Sequence, residues 1–175
     1  DKIVAKAIDD RAGCALLIEM INSDLLYDCY FSFTVQEETG CAGAKAVAFT
    51  VKPDIAIAIE ATTAGDLADV PEEKTVCKQG NGAVVSFMDN GTIYDKELYN
   101  NTLNWAKYAN LKCQAKQGVC GGNESRNLQT AGGGAKTLAV SLPTRYIHSG
   151  SSVLQISDLT DTKDFLMMLT QKLFE

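Results

Sequence analysis

A run of five apolar residues, Ile55 to Ile59, limits the folds open to this chain more than any other segment. Pro53 and Asp54 precede the run, and Glu60 follows it. The length and composition of the run predict a β-strand, and because every residue is apolar, both faces of that strand must be covered. Helices packed on each side of a sheet provide such cover, so the run indicates an α/β fold.

The segments around this strand alternate between helix and strand patterns. Apolar residues at helical spacing predict a helix from Arg11 to Asn22 with Asp10 as its N-cap. Strict alternation from Tyr27 to Gln36 predicts a strand, and an Ala-rich helix follows from Gly40 to Phe49. Further strands are expected at 83–88, 112–116 and 138–142, helices at 96–110 and from Ser157 or Asp158 to Phe174, and an irregular Gly-rich stretch at 118–134. The order predicts one domain, residues 1–175, with a mixed, mostly parallel sheet flanked by helices.

Composition argues against several functional classes. Acidic residues outnumber basic ones by 22 to 16, and there is no basic stripe with interleaved aromatic residues, so nucleic-acid binding is not expected. No apolar run approaches the ~20 residues of a membrane span, so a membrane is not an expected partner either. The six cysteines are scattered without a Cys-x-x-Cys pair, which favours reduced thiols and a cytoplasmic location.

Acidic residues and the only histidine stand close to the ends of several predicted elements. They are Asp9 and Asp10, Glu37 and Glu38, Glu60, and His148. Taken singly, each has an ordinary explanation as a helix cap, a solvated surface acid or a surface histidine. Ligand sites in α/β folds gather outside the carboxyl ends of strands, so distant residues of this kind can converge. Carboxylates with an imidazole are a ligand set for zinc, cobalt or manganese.

Four segments then occur in a fixed order along the chain. They are Ala7–Gly13, Val35–Gly40 with Gly43 and Ala44, Ile57–Thr62, and Leu142–Ser149. Each alone is weak evidence, but together they resemble the two-metal aminopeptidases, a family that includes glutamyl, deblocking and tetrahedron-shaped (TET) aminopeptidases. The resemblance covers nearly the whole chain. It implies a zinc-exopeptidase-like catalytic domain that hydrolyses N-terminal residues from peptides.

The same resemblance implies two divalent ions, zinc or cobalt, and a ligand set for them. Asp9 would bridge both ions. Glu38 and His148 would complete the ligands of one ion, and Glu60 would serve the other. The family also forms homo-oligomers, so a homo-oligomer is expected of the full-length protein.

The remaining roles concern catalysis and the substrate pocket. Glu37 would be the general base, taking a proton from a metal-bridging water and then protonating the leaving amine. Asp10 would support catalysis by holding the backbone of Asp9 through a peptide bond that can be cis in this clan. Glu124 and Arg145 are expected near the substrate pocket.

At two points the chain departs from the family pattern, and these points limit which of the family's residue roles apply to it. The family's remaining ligand is a histidine in a His-x-Asp motif, and this chain has no histidine besides His148. We therefore expect a C-terminal portion, truncated at the N-terminus, that binds at most one ion well and is inactive alone. The family's Gly-Gly-Thr-Asp-Ala or Gly-Gly-Asn-Asp-Ala motif is replaced by residues 121–126, so substrate preference does not transfer.

Two other hypotheses remain open. The first is a catalytically incomplete remnant that keeps the fold but lacks the N-terminal histidine ligand. The second is glycoside hydrolysis, which uses two carboxylates ~5–9 Å apart on either side of the scissile bond. It is the weaker of the two because it gives His148 no role.

Overall fold

The computed structural model describes all residues from 1 to 175. The elements in chain order are β1 (Lys2–Ala5), α1 (Ile8–Ile21), α2 (Ala42–Val51), β2 (Ile55–Thr63), a 3-10 helix (Glu72–Lys74), β3 (Ala83–Val85), α3 (Lys96–Tyr108), β4 (Cys113–Ala115), α4 (Ser125–Thr130), β5 (Lys136–Arg145), β6 (Ser152–Gln155) and α5 (Ile156–Lys172). None of the helices combines the length and apolar character needed to cross a membrane.

The six strands form one mixed sheet around β5. Along one edge, β5 pairs in parallel with β2 over nine residues. Along its other edge, β5 pairs antiparallel with β3 and then with β6, which in turn carries β1. Three of the five pairings are antiparallel, although the parallel ladders β2–β5 and β3–β4 hold more of the paired residues. The predicted mixed α/β class is confirmed.

Helices cover both faces of the sheet, as the apolar run in β2 predicted. Ile55, Ile57 and Ile59 pack against the main core, where β5 meets α1 and α5. The alternate residue Ala56 packs instead into a second core with α2 and α4. In the main core, Leu138 of β5 is fully buried, and full burial of such a side chain contributes roughly 1.5–3 kcal/mol.

The strand predicted from Tyr27 to Gln36 is wrong, because this segment joins no ladder. Alternation assigns side chains to two faces but does not supply a backbone partner, and a strand needs both. Phe31 does pack on the main core, whereas Tyr30 is 85% exposed. The carbonyl of Val35 accepts instead from the N–H of Gly43 in the first turn of α2.

Two further expectations need correction. Helix α4 lies inside the stretch predicted to be irregular, because Gly-rich flanks hide a six-residue helix. Helix α5 begins at Ile156, so neither Ser157 nor Asp158 caps it. The carboxylate of Asp158 is buried and accepts hydrogen bonds from the N–H groups of Gly80 and Gly82. It thus ties α5 to the loop before β3. Strands β1 and β6, four residues each, were too short to be recognised from the sequence.

Candidate metal centre

Asp9 lies at an irregular entry to α1. Ala7 has φ 54°, and Asp9 and Asp10 have non-helical backbone angles. The peptide bond between Asp9 and Asp10 is cis. Oδ1 of Asp10 accepts a hydrogen bond from the N–H of Gly13 at 3.0 Å, so Asp10 caps the regular part of the helix as predicted. A Cβ at Gly13 would lie 2.3 Å from Oδ2 of Asp10, so any larger residue would force the Asp10 carboxylate to move.

Glu37 and Glu38 lie in the turn that leads into α2. The N–H groups of Gly40 and Cys41 both donate to the carbonyl of Glu37 and close this turn. The thiol of Cys41, which is buried, lies 3.5 Å from Oε1 of Glu37. Glu38 has no such partner on its own turn, and its side chain is largely exposed.

His148 lies in the turn between β5 and β6. Tyr146 and His148 both have positive φ values, 58° and 60°, so the chain reverses tightly here. The hydroxyl groups of Ser149 and Ser152 donate to the carbonyl of Tyr146 and hold the turn closed. The imidazole lines the same cleft as Thr62 and Thr63 at the carboxyl end of β2.

Three predicted residues meet at this point, and we call Asp9, Glu38 and His148 the exposed cluster. Nε2 of His148 lies 3.2 Å from Oδ2 of Asp9 and 3.5 Å from Oε2 of Glu38. One ligand atom from each residue lies within 4.8 Å of the other two. Two ligands of one tetrahedral zinc are about 3.4 Å apart, so the donor set fits a divalent cation in both chemistry and spacing.

Glu60 lies outside this cluster, although it lines the same cleft. It is the sixth residue of β2 rather than a residue after the strand. Its Oε1 accepts from Nδ2 of Asn123 at 3.1 Å and from the hydroxyl of Ser141 at 3.3 Å. Burial raises its pKa to about 8, against the opposing effect of Lys116.

Burial also disfavours the charged forms of Asp9, Glu37 and Asp10. Burial raises the pKa of Asp9, and the negative charge of Glu38 raises it further, while His148 opposes the shift. Burial also raises the pKa of Glu37, and that of Asp10 to about 8. Carboxylates gathered in this way favour a bound cation, which stabilises their charged forms.

One cleft of about 620 Å³ collects these side chains. Its lining includes Asp9, Asp10, Glu37, Glu38, Glu60, Glu124 and His148. Glu124 accepts a hydrogen bond from the hydroxyl of Thr34 across the cleft. Arg145 does not line the cleft, contrary to expectation, because its guanidinium is paired with Asp66 at 2.8 and 3.0 Å.

Sequence reasoning missed a set of polar side chains behind Glu60. We call Glu60, Asp89, Tyr94, Asn123 and Ser141 the buried network. Asp89, Tyr94, Asn123 and Ser141 are all at most 5% exposed. Asn123 could have been suspected from its place in the altered Gly-Gly motif, but nothing in the sequence links Asp89 or Tyr94 to this site.

Known proteins share both the sequence pattern and the fold. A relative from Acetivibrio thermocellus is 34% identical over 169 residues, which are 95% of this chain and 51% of that protein. Glutamyl aminopeptidase of Lactococcus lactis is 28% identical over 175 residues, covering 98% of this chain and 48% of its own. The chain therefore spans about half the length of the relatives that it matches.

Solved structures show the same relationship. An aminopeptidase from Desulfurococcus kamchatkensis superposes with a TM-score of 0.93 at 26% identity, covering 98% of this chain and 49% of its own. The TET1 peptidase of Pyrococcus horikoshii, described as assembling into a tetrahedron or a large octahedral shell, has a TM-score of 0.81 at 30% identity, with 97% and 50% covered. The sequence profile of the M42 glutamyl aminopeptidase family matches residues 1–165. The chain belongs to the M42 glutamyl aminopeptidase family.

Proposed function

We propose that this chain is the catalytic part of a metal-dependent aminopeptidase, which hydrolyses N-terminal residues from peptides. The observation that carries the proposal is the meeting of Asp9, Glu38 and His148 beside Glu37 in one acidic cleft. Membership of an aminopeptidase family supports the reaction class. The chain would act as one domain, residues 1–175, within the longer architecture of its relatives.

The exposed cluster would hold one divalent ion, zinc or cobalt, through the imidazole of His148 and the two carboxylates. Asp9 would also contact a second ion together with Glu60. Bound cations of this kind lower the pKa of water and polarise a scissile carbonyl. For the second ion the chain offers only those two carboxylates, because His148 is its single histidine.

Glu37 is the residue of the chain that we assign to proton transfer. It lines the cleft beside the exposed cluster, and the thiol of Cys41 contacts its Oε1. Its carboxylate would take a proton from the attacking water and return it to the leaving amine. Asp10, whose carboxylate accepts a hydrogen bond from the N–H of Gly13, would keep Asp9 in place. Glu124 would line the substrate pocket, and Arg145, which pairs with Asp66, would lie outside it.

Calorimetric titration of the 175-residue chain with zinc and cobalt tests the proposal. We expect one tight ion per chain, and Glu38→Gln should weaken its binding at least tenfold because a charged ligand is lost. Glu19→Gln is the control, since Glu19 is also an exposed acid but lies within α1 and pairs only with Lys163. Equal metal affinity of Glu38→Gln and Glu19→Gln would contradict the proposed metal centre.

Turnover is the second test. With aminoacyl anilides as substrates, we expect the chain alone to show trace activity at most, because the second ion lacks a histidine ligand. A full-length protein of the size of its relatives should be active, and a chelator should abolish that activity. A full-length protein that binds the first ion but stays inactive would favour the catalytically incomplete remnant instead.

The assembly is proposed by analogy with a relative, and the location from the cysteines. The Pyrococcus horikoshii relative forms large shells, so we propose a homo-oligomer for the full-length protein. Peptide would be the substrate, and the cytoplasm the compartment, since the six cysteines are all free. Gel filtration coupled to light scattering checks the assembly.

A further inference from the structure

The side-chain amide of Asn123 has a defined orientation inside the protein. Asn123 is only 2% exposed. Its Oδ1 accepts a hydrogen bond from the N–H of Ser125 at 2.8 Å, so Oδ1 is the carbonyl end of the amide. Nδ2 therefore faces three oxygen atoms: Oε1 of Glu60 at 3.1 Å, the hydroxyl of Tyr94 at 2.8 Å and Oδ2 of Asp89 at 3.2 Å.

Asp89 and Tyr94 fix this amide from behind. Oδ1 of Asp89 accepts from the N–H groups of Gly91 and Thr92 at 2.7 and 2.8 Å. Its Oδ2 accepts from the hydroxyl of Tyr94 at 2.5 Å. The Tyr94 proton is thereby committed to Asp89, which leaves the Tyr94 oxygen as an acceptor for Asn123. A buried network whose members are all satisfied is rigid.

The consequence for Glu60 is that its two oxygen atoms are unequal. Oε1 accepts from both Asn123 and Ser141, and Ser141 lies directly opposite Glu60 on the neighbouring strand β5. Both protein donors on Glu60 are therefore on Oε1. A carboxylate fastened by one oxygen can offer the other to a ligand in the cleft that it lines.

We propose that Asn123, oriented by Asp89 and Tyr94, is a positioning residue that holds Oε1 of Glu60 so that Oε2 is presented to a cation in the cleft. The inference rests on the proposed metal-dependent function, and it adds the residues that orient the ligand of the second ion. None of these residues is expected to contact the cation bound by the exposed cluster.

Two pairs of variants separate positioning from general loss of packing. Tyr94→Phe removes the hydroxyl that joins Asp89 to Asn123 and keeps the ring. Its control is Thr92→Val in the same loop, because the Thr92 hydroxyl is buried without a hydrogen-bond partner. Ser141→Ala removes the second donor to Glu60, and its control is Ser86→Ala, since the Ser86 hydroxyl is likewise buried and unpartnered.

The first readout is cobalt binding by the 175-residue chain, followed by visible absorbance at rising cobalt concentration. The tight first ion should be unaffected within twofold in every variant. Binding of the weaker second ion should fall about tenfold in Tyr94→Phe and Ser141→Ala and stay unchanged in both controls. The reason is that hydrogen bonds to a metal-binding side chain change the affinity for the metal. Equal second-ion affinity in a variant and its control would overturn the inference.

The second readout needs no metal. In crystal structures of the metal-free chain, Tyr94→Phe or Ser141→Ala should show the Glu60 carboxylate displaced or in two conformers, and the controls should not. A Glu60 carboxylate that keeps its place in both variants overturns the positioning role. A wild-type chain that binds no cobalt would instead defeat the proposed function, and the position of Glu60 would still decide the inference.

Discussion

The two sides of the acidic cleft are built in opposite ways. In the exposed cluster, the side chains of His148 and Glu38 are 62% and 63% exposed, and both lie in turns. In the buried network, Asp89 and Asn123 are 5% and 2% exposed, and Asp89 receives four hydrogen bonds. One side is therefore held by internal hydrogen bonds, whereas the other would be held mainly by a bound cation.

This contrast separates stability from binding. Removing a member of the buried network leaves polar groups without partners away from water, which costs folding free energy. Removing Glu38 or His148, the two exposed members of the other cluster, leaves groups that water can solvate, so folding should hardly change. In this account, cation binding would depend mainly on the exposed residues, and the geometry of the cleft on the buried ones.

The largest expected effect is on the buried side. Asp89→Ala should lower the free energy of unfolding by about 3–5 kcal/mol, because the N–H groups of Gly91 and Thr92 and the hydroxyl of Tyr94 lose their acceptor. Urea unfolding followed by circular dichroism measures it. Asp24→Ala, at an exposed position, is the control. A loss below about 1 kcal/mol would show that the network is not a rigid unit.

A smaller effect is expected at the start of α1, where Asp9 of the exposed cluster lies. Gly13→Ala should destabilise the chain by about 1–3 kcal/mol, since its Cβ would lie 2.3 Å from Asp10, which must move. Gly133→Ala is the matched control, because a Cβ there meets nothing within 4 Å. Thermal unfolding of both variants checks this, and equal melting temperatures would contradict a fixed place for Asp10.

The ion pair between Arg145 and Asp66 should give a smaller effect, which depends on pH. Burial raises the pKa of Asp66, but the hydrogen bonds from Arg145 and the N–H of Gln79 outweigh it and hold the pKa below 3.8. A depressed pKa in the folded state means that the pair stabilises the fold above pH 3.8 and that this contribution is lost as the pH falls through the folded-state value.

Asp66→Asn therefore should be less stable than the wild type near neutral pH, and the difference should shrink as the pH falls below 3.8. Urea unfolding across the acid range measures the difference. A gap that is constant with pH would mean that Asp66 acts through packing rather than through its charge.

The smallest effect on folding is expected on the exposed side. His148→Ala should change the free energy of unfolding of the metal-free chain by less than about 0.5 kcal/mol, because its imidazole is largely solvated. Addition of zinc should stabilise the wild type and leave His148→Ala unchanged. A large loss of stability without metal would erase the contrast between the two sides.

Local sequence patterns correctly predicted the helices and strands whose form depends on the burial of neighbouring apolar residues. The apolar run of β2, the helix spacing of α3 and α5 and the acid cap at Asp10 follow from local chemistry, and the structure has them. The strand at 27–36 was wrong because pairing is a long-range property that alternation cannot encode. The failed cap at Asp158 has the same origin, since its partners Gly80 and Gly82 are far away in sequence.

The candidate site likewise contains residues that could be predicted from the sequence and residues that could not. The convergence of Asp9, Glu38 and His148 was expected from the resemblance to a known family. Their spacing in the sequence does not by itself require them to meet. Asn123, Asp89 and Tyr94 escaped notice because an uncharged amide, a loop acid and a tyrosine carry no local signature of a network. Arg145 was misjudged for a related reason, since the sequence does not reveal its partner Asp66.

The central claim is that three residues far apart in sequence hold one divalent cation. Anomalous diffraction at the zinc edge, on crystals of the 175-residue chain grown with zinc, tests it most directly. We expect one strong peak within about 2.0–2.2 Å of Nε2 of His148 and of carboxylate oxygens of Asp9 and Glu38. A peak elsewhere, or no peak in this cleft at saturating zinc, would contradict the account.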